Sequence, residues 1–171
     1  MRAKIKAMAI RVRAGGEQDA QQAANLLNSY VEEGRYTALT ETQTPDEMRK
    51  TIKFLAEHGT FCIAEDGGAL LGMQMVFPFG QIPAFQHVGD IGTYVDLNYH
   101  RGGVGRALAE NTFESARNVG FLKIIATIRA DNHRALEFYK SIGFEYIGLA
   151  KKQACVRGVF IDEIFMERFL I

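Results

Sequence analysis

Cysteine is scarce in this chain, and an excess of charge of either sign is missing. The 171 residues include 2 cysteines, and 20 lysines and arginines balance 20 aspartates and glutamates. Two cysteines cannot form a disulfide framework, so we expect Cys62 and Cys155 to be reduced and mostly buried. A balanced charge provides no broad basic surface, so nucleic acid is not an expected partner.

Long apolar runs are also missing. No segment reaches the length needed to span a bilayer. Basic residues interrupt the apolar ones throughout residues 1–13, which therefore lack the core of a secretory signal. We expect a cytoplasmic protein with no membrane partner. Residues 1–8 are interpreted as a leader before one domain of residues 9–171, because the first convincing strand starts near Ala9.

Two kinds of functional motif are absent. The histidines are widely spaced, and no H-x-x-x-H or Cys-His cluster occurs, so we expect no metal site. The chain contains no Gly-Lys pair, which excludes a P-loop.

The hydrophobic periodicity predicts the element order β-α-α-β-β-β-α-β-α-β-β. Such an alternation indicates an α/β (α+β) class, with one mixed sheet and helices on both faces. The predicted strands cover residues 10–14, 60–65, 69–78, 88–96, 123–129, 144–150 and 160–169. The predicted helices cover residues 20–31, 45–56, 105–119 and 132–141.

A glycine cluster, Gly102-Gly103-Val104-Gly105, separates a predicted strand from a predicted helix. Glycines allow the backbone to approach a ligand closely, and a helix start presents unpaired N–H groups to an anion. The same residues would equally suit a plain strand-to-helix turn. The G-x-G-x-x-G/A dinucleotide fingerprint does not fit, because Leu108 stands where its last residue belongs.

The turn resembles the phosphate-binding motif Q/R-x-x-G-x-G/A of the GNAT superfamily of N-acetyltransferases. Gly103 and Gly105 take the two glycine positions, and His100 replaces the usual Gln or Arg. Downstream, residues 132–144 are similar to the family's N-x-x-A-x-x-F-Y-x-x-x-G-F segment. Phosphinothricin and amino-acid acetyltransferases look most similar among the members.

The resemblance implies acetyl-CoA as co-substrate. Strands 88–96 and 123–129 would splay apart, the pantetheine would pair with the exposed backbone, and the pyrophosphate would lie on the amides of residues 101–106. The implied cofactor-binding residues are Thr93, Tyr94, Val95, His100, Arg101, Gly102, Gly103, Val104, Gly105, Arg106, Asn132 and Tyr139.

The resemblance also implies catalytic roles. A backbone N–H near Val95 would polarise the thioester carbonyl, and Tyr139 would protonate the leaving thiolate. Asp90 is the preferred general base, with Asp96 as the other candidate. From the residues alone, Tyr139 could equally be a core residue, both aspartates could be solvated, and Asn132 is a helix N-cap.

We therefore expect an N-acetyltransferase acting on a primary amine of a small molecule or amino acid. Two alternatives remain: acetylation of a protein N-terminus or lysine, and a non-catalytic acyl-CoA sensor. The acceptor would be selected by residues 30–44 and 77–85. The apolar C-terminal strand, expected at an end of the sheet, indicates a homodimer.

Overall fold

The computed structural model describes residues 9–99 and 102–171. The predicted leader, residues 1–8, and two predicted cofactor-binding residues, His100 and Arg101, lie outside the described residues. The predicted element order is confirmed. The strands are β1 Arg11–Ala14, β2 Thr60–Asp66, β3 Ala69–Pro78, β4 Val88–Val95, β5 Lys123–Arg129, β6 Glu145–Val156 and β7 Val159–Phe169. The helices are α1 Ala20–Glu33, α2 Pro45–His58, α3 Val104–Val119 and α4 His133–Ser141.

All seven strands form one mixed sheet in the order β1-β2-β3-β4-β5-β7-β6. Only β4 and β5 run parallel; every other neighbouring pair is antiparallel. The expectation that the C-terminal strand forms an end of the sheet is wrong. β7 lies between β5 and β6, because the β6–β7 hairpin folds so that its second strand pairs with β5.

β6 extends beyond its predicted end at residue 150. Its pairing with β7 is interrupted between Ala150 and Ala154, and Lys152 has a φ of 52°. The amide of Lys152 donates to the carboxylate of Asp162 at 2.7 Å. This bulge interrupts the alternation of apolar and polar residues, so the sequence pattern ends near residue 150. The strand resumes after the bulge and continues to Val156.

Helices cover both faces of the sheet, as predicted. On β2, Phe61 and Ile63 pack with α1 and α2, whereas Cys62 and Ala64 pack with α3. We call these the α1–α2 face and the α3–α4 face. Cys62 is buried as expected, but Cys155 is exposed because it lies on the edge strand β6.

The parallel strands β4 and β5 separate after a short pairing. Their register joins only residues 88–90 of β4 with residues 123–125 of β5. Beyond that point β4 pairs only with β3, and β5 pairs only with β7. The predicted splay is therefore present, and it opens a gap in the middle of the sheet.

Within the described residues, no helix is both long enough and apolar enough to cross a membrane.

Candidate active site

A cavity of about 630 Å³ lies at the gap between β4 and β5. It is lined by every described residue predicted to bind the cofactor and by Asp90, the preferred base. These are Asp90, Thr93, Tyr94, Val95, Gly102, Gly103, Val104, Gly105, Arg106, Asn132 and Tyr139. Residues that are distant in sequence therefore surround one space, which is what a binding site for a large ligand requires.

The strand β4 presents backbone groups to this gap. Its hydrogen bonds to β3 include Asp96 N–H to Leu71 O at 2.8 Å and Phe79 N–H to Val88 O at 2.9 Å. An antiparallel pair alternates bonded and non-bonded residues. In that register the N–H and C=O groups of Thr93 and Val95 point away from β3 and into the gap.

Tyr30, from α1, holds the backbone of Val95. Its hydroxyl donates to Val95 O at 2.7 Å and accepts from Val95 N–H at 3.1 Å. Its ring packs edge-to-face on Tyr94 at a centroid distance of 5.2 Å. The N–H predicted to polarise the thioester carbonyl is thus already bonded. Sequence reasoning missed this role, because Tyr30 fits the apolar face of α1 like any core residue.

Glycine is favoured at the two motif positions for different physical reasons. Gly103 has a φ of 79° just before α3, a conformation that side chains with a Cβ disfavour, and the space beside it is open. A Cβ on Gly105 would lie 2.8 Å from Cε2 of Phe138. Gly105 therefore permits close packing of α3 on α4.

The start of α3 faces the cavity. Val104, Gly105 and Arg106 form the first turn of the helix, where N–H groups have no intrahelical acceptor. All three residues line the cavity. This end also carries the positive pole of the helix dipole, so it suits a phosphate group.

Tyr139 is both a core residue and a cavity residue. It is 5% exposed and packs with Phe144, while its hydroxyl lies 2.8 Å from Oγ1 of Thr93. Burial raises the pKa of Tyr139 well above its usual value. The phenol therefore keeps its proton, as a general acid must before it acts.

Gln74 completes a buried polar chain that the sequence analysis missed. Its side chain is fully buried, and its Nε2 donates to Thr93 Oγ1 at 2.9 Å. Because Thr93 accepts this bond, its own proton can go to Tyr139 Oη. The tyrosine proton is then left to point into the cavity. A lone polar residue within the apolar run of β3 was the available signal.

Asp90 lies on the opposite side of the sheet from Tyr139. It is half-buried, and burial, together with the nearby charge of Glu163, raises the pKa of Asp90 to about 6. Asp90 is the third residue of β4 and is not fully solvated. A carboxylate with this pKa is ionised at neutral pH and remains basic enough to accept a proton.

Asp96 does not reach the same cavity. Its Oδ1 accepts from the backbone N–H and from Nδ2 of Asn98, at 2.9 and 3.0 Å. It lines a separate, smaller space next to α1. The geometry therefore favours Asp90 over Asp96 as the base.

The segment between α1 and α2 closes one side of the cavity. Asn132 caps α4 through Oδ1, which accepts from Ala135 N–H at 3.1 Å, and its Nδ2 donates to Tyr36 O at 3.2 Å. The amide expected to reach the cofactor is thus bonded to this segment. Arg129 anchors the same segment through the carbonyl oxygens of Gly34 and Thr37, at 2.8 and 3.3 Å.

Only part of the predicted acceptor-selecting regions reaches the cavity. Tyr30 and residues 36–39 line it, as does Phe77 at the end of β3. The following loop, residues 78–85, does not contribute to the lining. In the part of the chain that the structure describes, no group of three or more His, Cys, Asp or Glu side chains is arranged to hold a metal ion.

Replacing Asp90 with asparagine tests whether burial of the Asp90 carboxylate lowers the free energy of unfolding at neutral pH. The folded-state pKa of about 6 exceeds the unfolded value of about 3.9. The native state thus binds the proton more tightly, so stability falls as pH rises between these values. We expect Asp90→Asn to be more stable than the parent above pH 6, by at most about 3 kcal/mol, and equal to it below about pH 4. Urea unfolding from pH 4 to 8 measures this; a difference independent of pH would contradict it.

Two relatives have amino-acid sequences similar to that of this chain. Phosphinothricin N-acetyltransferase of Streptomyces viridochromogenes is 23% identical over 159 residues, which are 93% of this chain and 87% of the relative. N-alpha-acetyltransferase RimI of Mycobacterium tuberculosis is 35% identical over 103 residues, 59% of this chain and 61% of the relative. The names of these relatives differ in the acceptor, so similarity alone does not identify it.

A solved structure shows the same fold. The putative acetyltransferase yncA from Salmonella typhimurium, solved with acetyl-CoA, superposes with a TM-score of 0.90 over 95% of each chain at 20% identity. The acetyltransferase (GNAT) family matches residues 23–144, which include the glycine turn and the segment from Asn132 to Phe144. The chain belongs to the GNAT family of acetyltransferases.

Proposed function

We propose that this chain transfers the acetyl group of acetyl-CoA to a primary amine of a small molecule or amino acid. One observation carries the proposal. Asp90 and Tyr139 line a single cavity from opposite faces of the sheet, on either side of the gap between β4 and β5. A thioester in that gap would have a base on one side and an acid on the other. Membership of the GNAT family supports this chemistry.

The cavity offers matching groups for acetyl-CoA. The first-turn amides of α3, at Val104, Gly105 and Arg106, would bind the pyrophosphate. The outward N–H and C=O groups of Thr93 would pair with the pantetheine amides as a neighbouring strand would, whereas those of Val95 are bonded to the Tyr30 hydroxyl. His100, Arg101, Gly102 and Asn132 stay predicted contacts.

The protein groups would act in a balanced sequence. Asp90 takes one proton from the acceptor's ammonium, and the neutral amine nitrogen attacks the thioester carbon. As the new C–N bond forms and the C–S bond breaks, Tyr139 donates its proton to the thiolate. The second nitrogen proton returns to the tyrosinate, and Asp90 releases its proton to solvent. The products are an amide, coenzyme A and one proton.

Separate observations bear on the two alternative functions, a protein N-terminal acetyltransferase and an acyl-CoA sensor. Similarity to an N-alpha-acetyltransferase favours a protein N-terminus as a second candidate acceptor. A non-catalytic acyl-CoA sensor would not need a buried tyrosine hydroxyl that lines the cavity and is held by Thr93 and Gln74. A cytoplasmic location stays a prediction.

Replacing Tyr139 with phenylalanine tests the acid. The change removes the proton donor and preserves the ring that packs with Phe144. We expect kcat to fall on the order of 10² to 10⁴ fold, with little change in the Kd for acetyl-CoA. Thiol release with a panel of amines gives kcat, and calorimetry gives the Kd.

The matched control for this test is Tyr146→Phe, since Tyr146 is 62% exposed on the edge strand. That variant should match the parent in rate. If Tyr139→Phe keeps its turnover within about threefold while the melting temperature falls, Tyr139 is a packing residue and the acid assignment is wrong.

A pair of substitutions at Gly103 tests the phosphate site. Both Gly103→Asp and Gly103→Asn enter open space, and both residue types tolerate a positive φ better than most. They have nearly the same shape, but only aspartate adds a negative charge at the start of α3. We expect Gly103→Asp to bind coenzyme A at least tenfold more weakly than Gly103→Asn, measured by calorimetry. Equal affinities would contradict a pyrophosphate at this helix start.

We also propose a homodimer formed through the β6–β7 hairpin. The hairpin carries large apolar side chains at its surface, and these are Tyr146, Ile147, Leu149, Val159 and Phe160. Exposed apolar groups on an edge hairpin favour association with a second copy. Light scattering at micromolar concentration should give twice the chain mass, and Phe160→Asp should give the single-chain mass. A parent protein that scatters as a monomer would refute this.

A further inference from the structure

Glu163, on β7, is a buried carboxylate without a protein partner. It is 8% exposed, and it lines the cavity. In the described part of the chain, no group donates a hydrogen bond to it, and burial raises its pKa. A buried charge without a partner is costly. Because Glu163 lines the cavity, a ligand bound there can supply the missing partner.

Glu163 and Asp90 lie on the same face of the sheet. Asp90 pairs with Ile125 across β4 and β5, and Arg129 of β5 pairs with Glu163 of β7. Directly paired residues point to the same face, and residues two apart along a strand do likewise. This α1–α2 face of the cavity therefore carries two carboxylates, one on each side of the gap.

The cation next to Glu163, Arg129, is hydrogen-bonded to other groups. The guanidinium of Arg129 donates to both carboxylate oxygens of Asp131, at 2.9 and 2.7 Å, and to the carbonyls of Gly34 and Thr37. It weakens but does not cancel the effect of burial on Glu163. The other arginines that line the cavity, Arg106 and Arg134, belong to helices on the α3–α4 face.

We propose that Glu163 binds a second cationic group of the acceptor, so that the preferred acceptor class is a diamine or a longer polyamine. This inference rests on the proposed function. The reacting ammonium would lie at Asp90, and the other ammonium would pair with Glu163. An amino acid would instead place its carboxylate beside Asp90 and Glu163, which is repulsive. The inference therefore narrows the proposed function to amines without a neighbouring carboxylate.

The apolar part of the cavity lining suits an aliphatic chain. Tyr36, Leu39 and Phe77 border the same space. Apolar and aromatic side chains lower the local dielectric, which strengthens a charge pair at Glu163. They also cover the methylene groups that separate two amines.

Three probes of similar length separate the acceptor classes. They are 1,4-diaminobutane, 1-aminopentane and 5-aminopentanoate, which carry at the far end an ammonium, a methyl group and a carboxylate. We expect kcat/KM for the diamine to exceed that for 1-aminopentane by about tenfold or more, because a charge-assisted pair forms at Glu163. The aminopentanoate should be the poorest of the three.

The variant Glu163→Gln should remove the preference selectively. The ratio of its kcat/KM for 1,4-diaminobutane to that for 1-aminopentane should fall to about one. A change in the rate shared by both amines is expected separately, because the charge of Glu163 also acts on Asp90. The control is Glu167→Gln, which changes a carboxylate on the same strand and face that pairs with Lys123 and does not line the cavity. Melting temperatures of both variants show that each is folded.

A binding measurement separates this inference from the proposed function. Calorimetric titration of 1,4-diaminobutane into the protein with coenzyme A present requires no acetyl transfer. Weaker binding by Glu163→Gln supports the subsite even if no probe is acetylated, a result that would count against the proposed function alone. Equal diamine binding by parent and Glu163→Gln, or a parent that prefers the aminopentanoate, overturns the subsite while leaving acetyl transfer intact.

Discussion

The parallel pairing of β4 with β5 ends after Asp90 and Ile125, and the backbone beyond that point must find hydrogen bonds outside the sheet. Tyr30 satisfies one such position, at Val95. The remaining outward groups line a cavity large enough for an extended ligand. Everything assigned to the site depends on this separation, because a closed sheet would bury these groups against β5.

The separation also divides the chemistry between the two faces of the sheet. Successive residues of β4 alternate in direction, so Asp90 faces α1 and α2 while Thr93 faces α4 and contacts Tyr139. Both titratable groups are desolvated, which raises the pKa of each. Desolvation therefore makes Asp90 a better base and keeps Tyr139 protonated, so that it can act as the acid.

The sequence predicted those parts of the molecule that follow from local pattern. Periodicity predicted the element order, and the glycine turn with the Asn132 segment predicted which residues meet in one cavity. It could not place β7 inside the sheet, because either strand of a hairpin can pair with β5. The hydrogen bonds of Tyr30 to Val95 and the position of Glu163 also escaped. In the sequence, Tyr30 looks like a core residue and Glu163 like a surface charge. The packing of Gly105 against Phe138 could not be predicted either, because the two residues are distant in sequence.

The central claim is that the gap between β4 and β5 holds the thioester between Asp90 and Tyr139. A crystal structure of this chain with coenzyme A tests it most directly. The account predicts pantetheine amides bonded to the backbone of Thr93, the thiol within hydrogen-bond distance of Tyr139 Oη, and the pyrophosphate on the first turn of α3. Coenzyme A bound outside the gap, or with its thiol remote from Tyr139, would contradict it.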